Sequence, residues 1–185
     1  MEEETFESKD YTKVAFAGNQ FEHCIFKECL FIESQFCNAH FSFCTFSNCN
    51  LSLVNLEMCR FQEVVFEDCK IVGGNFYLCE KKFFSVGFRE CLLRNCNFSH
   101  LQMKKTCLSN SQLWECDFNE TELLEADFSG CDLKGTLFHR CNLQKADFRE
   151  AKNYMIDPQT NKVAKARFSI PEALSLLKGF DIIFN

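Results

Sequence analysis

The sequence predicts an all-β repeat fold in which the chain turns a corner every five residues. Three observations carry this reading. Phe recurs at Phe16, Phe21, Phe26, Phe31, Phe36, Phe41 and Phe46, at a constant spacing of five. The register extends from Phe6 to Phe76 and, after a slip of two, from Phe83 to Phe148. That gives 29 centres: 18 Phe, 8 Leu, and one each of Tyr, Ile and Met. With about half of residues apolar in average proteins, chance would give such a series on the order of once in 10⁹. Finally, 185 residues contain 23 Phe and 14 Cys but only 7 Gly and 2 Pro. So few turn residues argue against a globule of short elements joined by Gly/Pro loops.

Each unit has an inner pattern. With the large apolar centre called i, position i−2 is small or slim in 24 of the 29 units, and 11 of the 14 Cys stand there. Position i−1 is often Asn, Asp or Glu, as in Cys49-Asn50-Leu51, Cys96-Asn97-Phe98 and Ala126-Asp127-Phe128. A period of five matches neither the 3.6 of a helix nor the 2 of a plain strand. In an extended backbone, i and i−2 share one side. One large and one small side chain then point inward, and the other three positions face water.

On these residues the chain resembles the pentapeptide-repeat family, whose pattern is A/C-D/N-L/F-x-x, over about residues 12–150. The resemblance implies a right-handed quadrilateral parallel β-helix with four pentapeptides per coil, about seven coils here. The columns agree with a four-unit coil. Every fourth centre gives Phe16, Phe36, Leu56, Phe76, Phe98, Phe118, Phe138 in one column. Another holds Phe26, Phe46, Phe66, Phe88, Leu108, Phe128, Phe148, and a third is mostly aliphatic from Leu51 onward. Stacked side-chain ladders permit flat, untwisted sheets. The same folding strings Cys29, Cys49, Cys69 and Cys91 along one inner column, within disulfide reach at strand spacing. Thiols fit beside Phe as small hydrophobes, and the expectation is reduced cysteine in a cytoplasmic protein. Zinc is not expected, because ligands along a column do not converge on one point.

The remaining segments follow in order. Residues 1–11 are expected to be irregular, since Glu4 and Lys9 occupy positions meant for small residues. The slip at 79–82 reads as a small bulge or loop at one corner, either a tolerated insertion or a partner contact. Residues 151–185 read as a cap. Asp157-Pro158 and Asn161 mark turns. Ser169-Ile-Pro-Glu172 reads as a capping box opening a helix over 170–178 with Ile170, Ala173, Leu174 and Leu177 on its apolar stripe, and Gly179 ends it. Phe180–Phe184 is a short tail-strand candidate. A β-helix must cover its open ends. The cap therefore predicts a homodimer through Leu174, Leu177, Phe180, Ile182, Ile183 and Phe184, as the resemblance to small tail-to-tail dimers also implies.

No enzyme motif, cofactor fingerprint or metal-ligand spacing is present, and His23, His40, His100 and His139 fall on different faces and coils of the predicted rod. No apolar run reaches the ~20 residues of a membrane span, and the acidic Met1-Glu-Glu-Glu start is unlike a signal peptide. The net charge of −6 gathers on residues 1–150. Between Thr106 and Leu133 stand Glu115, Asp117, Glu120, Glu122, Glu125, Asp127 and Asp132 with no Lys or Arg. They read either as a solvated belt around one coil or as a negative surface for a basic partner. An acidic rod is a poor nucleic-acid binder, because phosphate contacts need Lys and Arg. The resemblance to small quinolone-resistance members of the family implies a bacterial DNA mimic that binds DNA gyrase or topoisomerase IV. The competing reading is an interaction scaffold, an immunity or effector module with no topoisomerase role. It is favoured by Ile32, Val72 and Trp114, aligned outward at i+1 of one face, with Leu53 nearby.

Overall fold

A computed structural model describes the backbone of residues 1–180 and the side chains of residues 1–178. The chain winds as a parallel β-solenoid of about eight turns. Successive coils pair in parallel at an offset of twenty: Phe6 with Phe26, Phe26 with Phe46, Phe46 with Phe66. Four stacks of short strands and bridges form four faces. We call them A to D after their first full set of centres, Phe26 (A), Phe31 (B), Phe36 (C) and Phe41 (D).

The corners explain how so few glycines suffice. The i+2 residue of nearly every unit adopts a left-handed backbone, and most of these are not Gly: Glu28, Glu33, Asn38 and Phe43 have φ of 54–56°. That conformation is unfavourable for a residue with a Cβ. A hydrogen bond to the next coil holds it, as from Glu28 N–H to the Ser47 carbonyl at 2.9 Å. Regular coil-to-coil bonding therefore makes the turns, where a globule would use Gly and Pro.

The interior is layered by column. On face A, Phe6, Phe26, Phe46, Phe66 and Phe88 stack at 4.9, 4.7, 5.0 and 5.1 Å between ring centroids. On face C, Phe76, Phe98, Phe118 and Phe138 stack at 4.7, 4.9 and 5.3 Å. The small i−2 residues also have a polar task. The Cys49 thiol donates to the Phe26 carbonyl at 3.3 Å, the Thr121 hydroxyl to Phe98 at 3.0 Å and the Ser34 hydroxyl to Tyr11 at 2.7 Å. Cys, Ser and Thr are the small residues that can satisfy a corner carbonyl while remaining beside Phe. All fourteen cysteines are free thiols, twelve of them buried, with Cys37 and Cys107 half-exposed.

Several boundaries differ from the sequence reading. Residues 1–11 are not irregular: Glu2 bridges Glu22, Thr5–Glu7 pairs with Ile25–Lys27, and Asp10 bridges Leu30. Glu4 and Lys9 are tolerated because the first coil leaves them exposed. Regular pairing also runs past 150, through Asp132 with Lys152 and Phe148 with Phe168. These extensions raise the count from seven coils to about eight. At the slip, Arg60 still pairs with Glu80 at an offset of twenty, whereas Val64 pairs with Val86 at twenty-two. The extra residues thus lie between Glu80 and Val86, slightly later than 79–82. Cys79 remains buried, Phe83 is 44% exposed, and Phe84 is the buried ring in place of the expected centre Phe83. Two adjacent Phe in an insertion offer a choice that periodicity cannot decide.

The terminal helix is a 3-10 helix, Glu172–Phe180, rather than an α-helix. With three residues per turn, its inner face changes. Leu176 packs on the core, while Leu174 is 46% exposed and Ile170 faces solvent. The Ser169 hydroxyl accepts from Glu150 N–H at 3.1 Å, tying the cap to the previous coil where a capping box was expected. The tail-strand candidate Phe180–Phe184 lies outside the described residues, apart from the backbone of Phe180.

Candidate partner-binding surface

Three outward positions per unit make up the surface, and each has its own chemistry. At i−1, Asn and Asp carboxyl or amide oxygens accept the N–H two residues on: Asn97 from Ser99 at 2.9 Å, Asp127 from Ser129 at 2.9 Å, Asp147 from Arg149 at 3.0 Å. These are local turn locks. At i+1 and i+2, side chains meet neighbours from the coils above and below.

The seven acids of the predicted belt are dispersed by this geometry. Glu115 and Asp132 stand on face B, Asp117 and Glu120 on C, Glu122 and Glu125 on D, Asp127 on A. Glu115 meets Arg94 at 3.3 Å. Glu120 lies 3.5 Å from both Arg140 and His100. Glu125 pairs with Lys145 at 2.9 Å and Lys105 at 3.7 Å, and the hydrogen bond and charge of Lys145 lower its pKa. Glu122 accepts from Asn142 at 2.7 Å, Asp132 from Asn153 at 2.8 Å. A segment free of Lys and Arg in sequence is thus ringed by bases about twenty residues away.

The structure brings together a different acidic set. Face A carries Glu7, Glu28, Glu67, Asp68, Glu90, Asp127, Asp147 and Glu150 against Lys27, Arg89, Arg149 and Arg167. Along its i+2 edge, Glu28, Asp68, Glu90 and Glu150 are exposed and form no salt bridge with any described residue. Their shared edge is fixed by coil-to-coil bonds from each backbone N–H, to a carbonyl of the next coil for Glu28, Asp68 and Glu90 and to the Ser169 hydroxyl for Glu150. Sequence reading missed the edge because its successive members are 22 to 60 residues apart; counting charge at steps of twenty, with the slip of two carried through, would have found it. Of the apolar stripe, Ile32, Val72 and Trp114 are half-buried, and Arg94 pairs in register between Val72 and Trp114. Leu53 is exposed. Leu174 and Leu177 are the described members of the expected dimer contact, one exposed and one half-buried. The side chain of Phe180 and residues Ile182, Ile183 and Phe184 are outside the described set. Beside the cap, a cleft of about 800 Å³ is lined by Lys134, Tyr154, Met155, Glu172, Leu174 and Lys178 among others. Among the described residues no cluster of His, Cys, Asp or Glu could hold a metal ion, and no helix is long and apolar enough to cross a membrane.

The sequence matches the profile of the pentapeptide repeat region at residues 19–82 and 80–154. The chain belongs to the pentapeptide-repeat family. Among solved structures, this pentapeptide-repeat rod is similar to a trypsin-treated form of QnrB1, a plasmid-mediated fluoroquinolone resistance protein. The TM-score is 0.65 at 16% identity, over 100% of this chain and 99% of that one. A second trypsin-treated form gives 0.60 at 18% identity, over 100% and 91%. HetL, involved in heterocyst differentiation regulation in the cyanobacterium Nostoc sp. strain PCC 7120, gives 0.42 at 14% identity, over 90% and 84%. No curated protein matches the chain in sequence. At these identities the likeness to the two QnrB1 structures shows the fold.

Proposed function

We propose that this pentapeptide-repeat rod is a non-enzymatic, DNA-mimicking cytoplasmic protein that binds a type II topoisomerase, DNA gyrase or topoisomerase IV, and protects it from quinolones. The observation that carries the reading is the unpaired acidic edge Glu28, Asp68, Glu90 and Glu150 on face A. At ~4.8 Å per coil, the edge extends about 29 Å along the rod. Four carboxylates without salt-bridge partners, spaced along one corner of the rod with Asn48, Asn110 and Gly130 between them, offer basic DNA-binding surfaces part of the charge a duplex backbone offers. End-to-end likeness to a fluoroquinolone resistance protein supports the same reading. In it, the belt acids Glu120 and Glu125 contribute less, because they are already neutralised within the rod. The cap carries the proposed homodimer contact.

The test is gyrase supercoiling and quinolone-stabilised cleavage with the wild-type rod, Asp68→Lys/Glu90→Lys, and Glu120→Lys/Glu125→Lys. The expected result is quinolone protection that the first pair reduces at least tenfold and the second reduces less. Protection should also weaken between 0.1 M and 1 M salt, as the Debye length falls from ~10 to ~3 Å. Absence of any effect on either reaction would leave the scaffold reading in its place.

A further inference from the structure

The insertion between Glu80 and Val86 is the place where the rod departs most from its own repeat. The chain makes a 3-10 turn at Lys81–Phe83, Phe84 takes the buried place, and Phe83 is left on the surface. Phe83 is held in a defined position. The Arg60 guanidinium sits 5.6 Å and the Lys82 ammonium 5.1 Å from its ring centroid, within cation–π range. Arg60 is itself fixed by Glu80, which accepts from Nε at 2.8 Å and from a terminal nitrogen at 2.7 Å. Along the adjoining corner, Met58 and Leu78 are exposed on successive coils, joined by a bond from Met58 N–H to the Leu78 carbonyl. Lys81 and Lys82, with Lys104 on the following coil, form no salt bridge with any described residue.

We propose that Phe83, Met58 and Leu78, with Lys81, Lys82 and Lys104 around them, form a docking surface for a protein segment that carries acidic side chains on either side of a large apolar residue. Charge complementarity sets the partner's chemistry. The Lys82 ammonium lies over the exposed Phe83 ring and Lys81 stands beside it, both without a salt bridge among the described residues, on a rod whose net charge is −6. A short acidic segment can meet those ammonium groups locally while its apolar residue covers Phe83. An exposed aromatic ring among lysines also suits single-stranded nucleic acid. Here, however, Glu63 and Glu80 stand within the surface, and its one guanidinium is committed to Glu80. This surface includes face D and the C–D corner. It is separate from the Glu28–Glu150 edge and does not rest on the topoisomerase reading.

The experiment selects binders from a random twelve-residue phage-displayed peptide library on the immobilised wild-type rod. Enriched peptides are then measured by fluorescence anisotropy. The expected result is peptides with acidic residues flanking Leu, Ile, Phe or Trp, whose affinity falls at least tenfold for Phe83→Ala and for Lys81→Glu/Lys82→Glu. Asp68→Lys/Glu90→Lys, which tests the other face, should leave that affinity unchanged. Both side-chain sets are exposed, so circular dichroism should show each variant folded. Failure to enrich any peptide would overturn the proposal, as would enrichment of neutral or basic peptides, or binding indifferent to Phe83 and the lysines. Displacement of the peptides by a single-stranded oligonucleotide would assign the surface to nucleic acid instead.

Discussion

The coils before the insertion and those after it share one backbone but not one interior. In the early coils all four columns carry aromatic rings. Rings of neighbouring faces meet edge to face: Phe21 with Phe26 at 5.3 Å, Phe26 with Phe31 at 5.6 Å, Phe31 with Phe36 at 5.4 Å. In the late coils Phe persists mainly on faces A and C, as in Phe118–Phe128 at 5.9 Å and Phe128–Phe138 at 5.6 Å. Faces B and D there hold Leu113, Leu133, Met103, Leu123 and Leu143, all buried. The i−2 thiols thin out as well, replaced by Ser111, Thr121, Ala126, Thr136 and Ala146. The solenoid thus calls for a large apolar residue at i and, in most units, a small one at i−2, although Leu101 is buried at that position; the Phe and Cys ladders are one solution among several. What the ladders add is ring-to-ring contact, worth about 0.5–1.5 kcal/mol per pair beyond the buried area.

The largest expected effect concerns the thiols. Burial pushes Cys44 up to about 11, Cys131 to about 12 and Cys141 to about 11, and raises Cys59 and Cys79 strongly. An acid whose folded pKa is raised contributes stability that is complete below its unfolded value, roughly 8.5. That stability is lost as pH climbs toward the folded value. Each such thiol lowers stability by on the order of 1.4 kcal/mol per pH unit between those two values, and several acting together are a large share of a domain's stability. Alkaline unfolding within about one or two units of pH 8.5 is expected by circular dichroism. The late coils supply the remedy, since the Thr121 hydroxyl makes the same carbonyl bond as the Cys44 thiol, at 3.0 against 3.5 Å. Cys44→Ser/Cys141→Ser, both at sites where the thiol already bonds a corner carbonyl, should flatten the alkaline slope. A slope unchanged by that exchange would separate the thiols from the pH response.

Next in size is the difference between the two interiors. Phe66 and Leu108 occupy the same face A column and are both fully buried. Phe66→Ala should cost about 3–5 kcal/mol and Leu108→Ala about 2–4. The excess of roughly 1 kcal/mol comes from lost ring contacts, Phe46 at 5.0 Å and Phe88 at 5.1 Å. Urea denaturation of both variants measures the difference; equal costs would mean the rings add nothing beyond their volume. At the junction, Phe84→Ala should cost about 3 kcal/mol, against less than about 1 for the exposed neighbour Phe83→Ala. The reverse order would place Phe83 in the core.

These cases also mark what could be read from sequence. Inward and outward positions follow from a period of five, because each pentapeptide repeats the same decision. The coil of four units follows from the sorting of Phe and Leu into columns. The surface resists such reading, since its neighbours are a coil apart. Glu120 meets Arg140 and Glu125 meets Lys145, so a local window sees acids where the rod presents ion pairs. At the insertion the period itself is lost, and Phe83 and Phe84 become equivalent until packing chooses. The cap was misread because a 3.6-residue stripe was laid on a segment with three residues per turn.

The smallest effect separates the corners of the two regions. Gly18, in an early coil, and Gly130, in a late one, have φ of +72° and +68°. At both, a side chain faces the left-handed penalty, set against the entropy that Ala removes from the unfolded chain, about 0.4–1 kcal/mol. Many non-Gly residues accept that conformation here, including Asn110 and Glu90, so backbone strain alone does not forbid a Cβ. Space distinguishes the two sites. A Cβ at Gly18 meets nothing within 4 Å, whereas at Gly130 it falls on the Asn110 side-chain oxygen, which must rotate away. Gly18→Ala should therefore cost up to about 1 kcal/mol from its left-handed backbone, and Gly130→Ala about 1 more. Asn110→Ala/Gly130→Ala should recover most of that additional cost, because the obstructing amide is gone. Thermal denaturation of the three variants reads the differences. An additional Gly130→Ala cost that survives removal of Asn110 would place the penalty in the backbone, and Gly18→Ala should then cost as much.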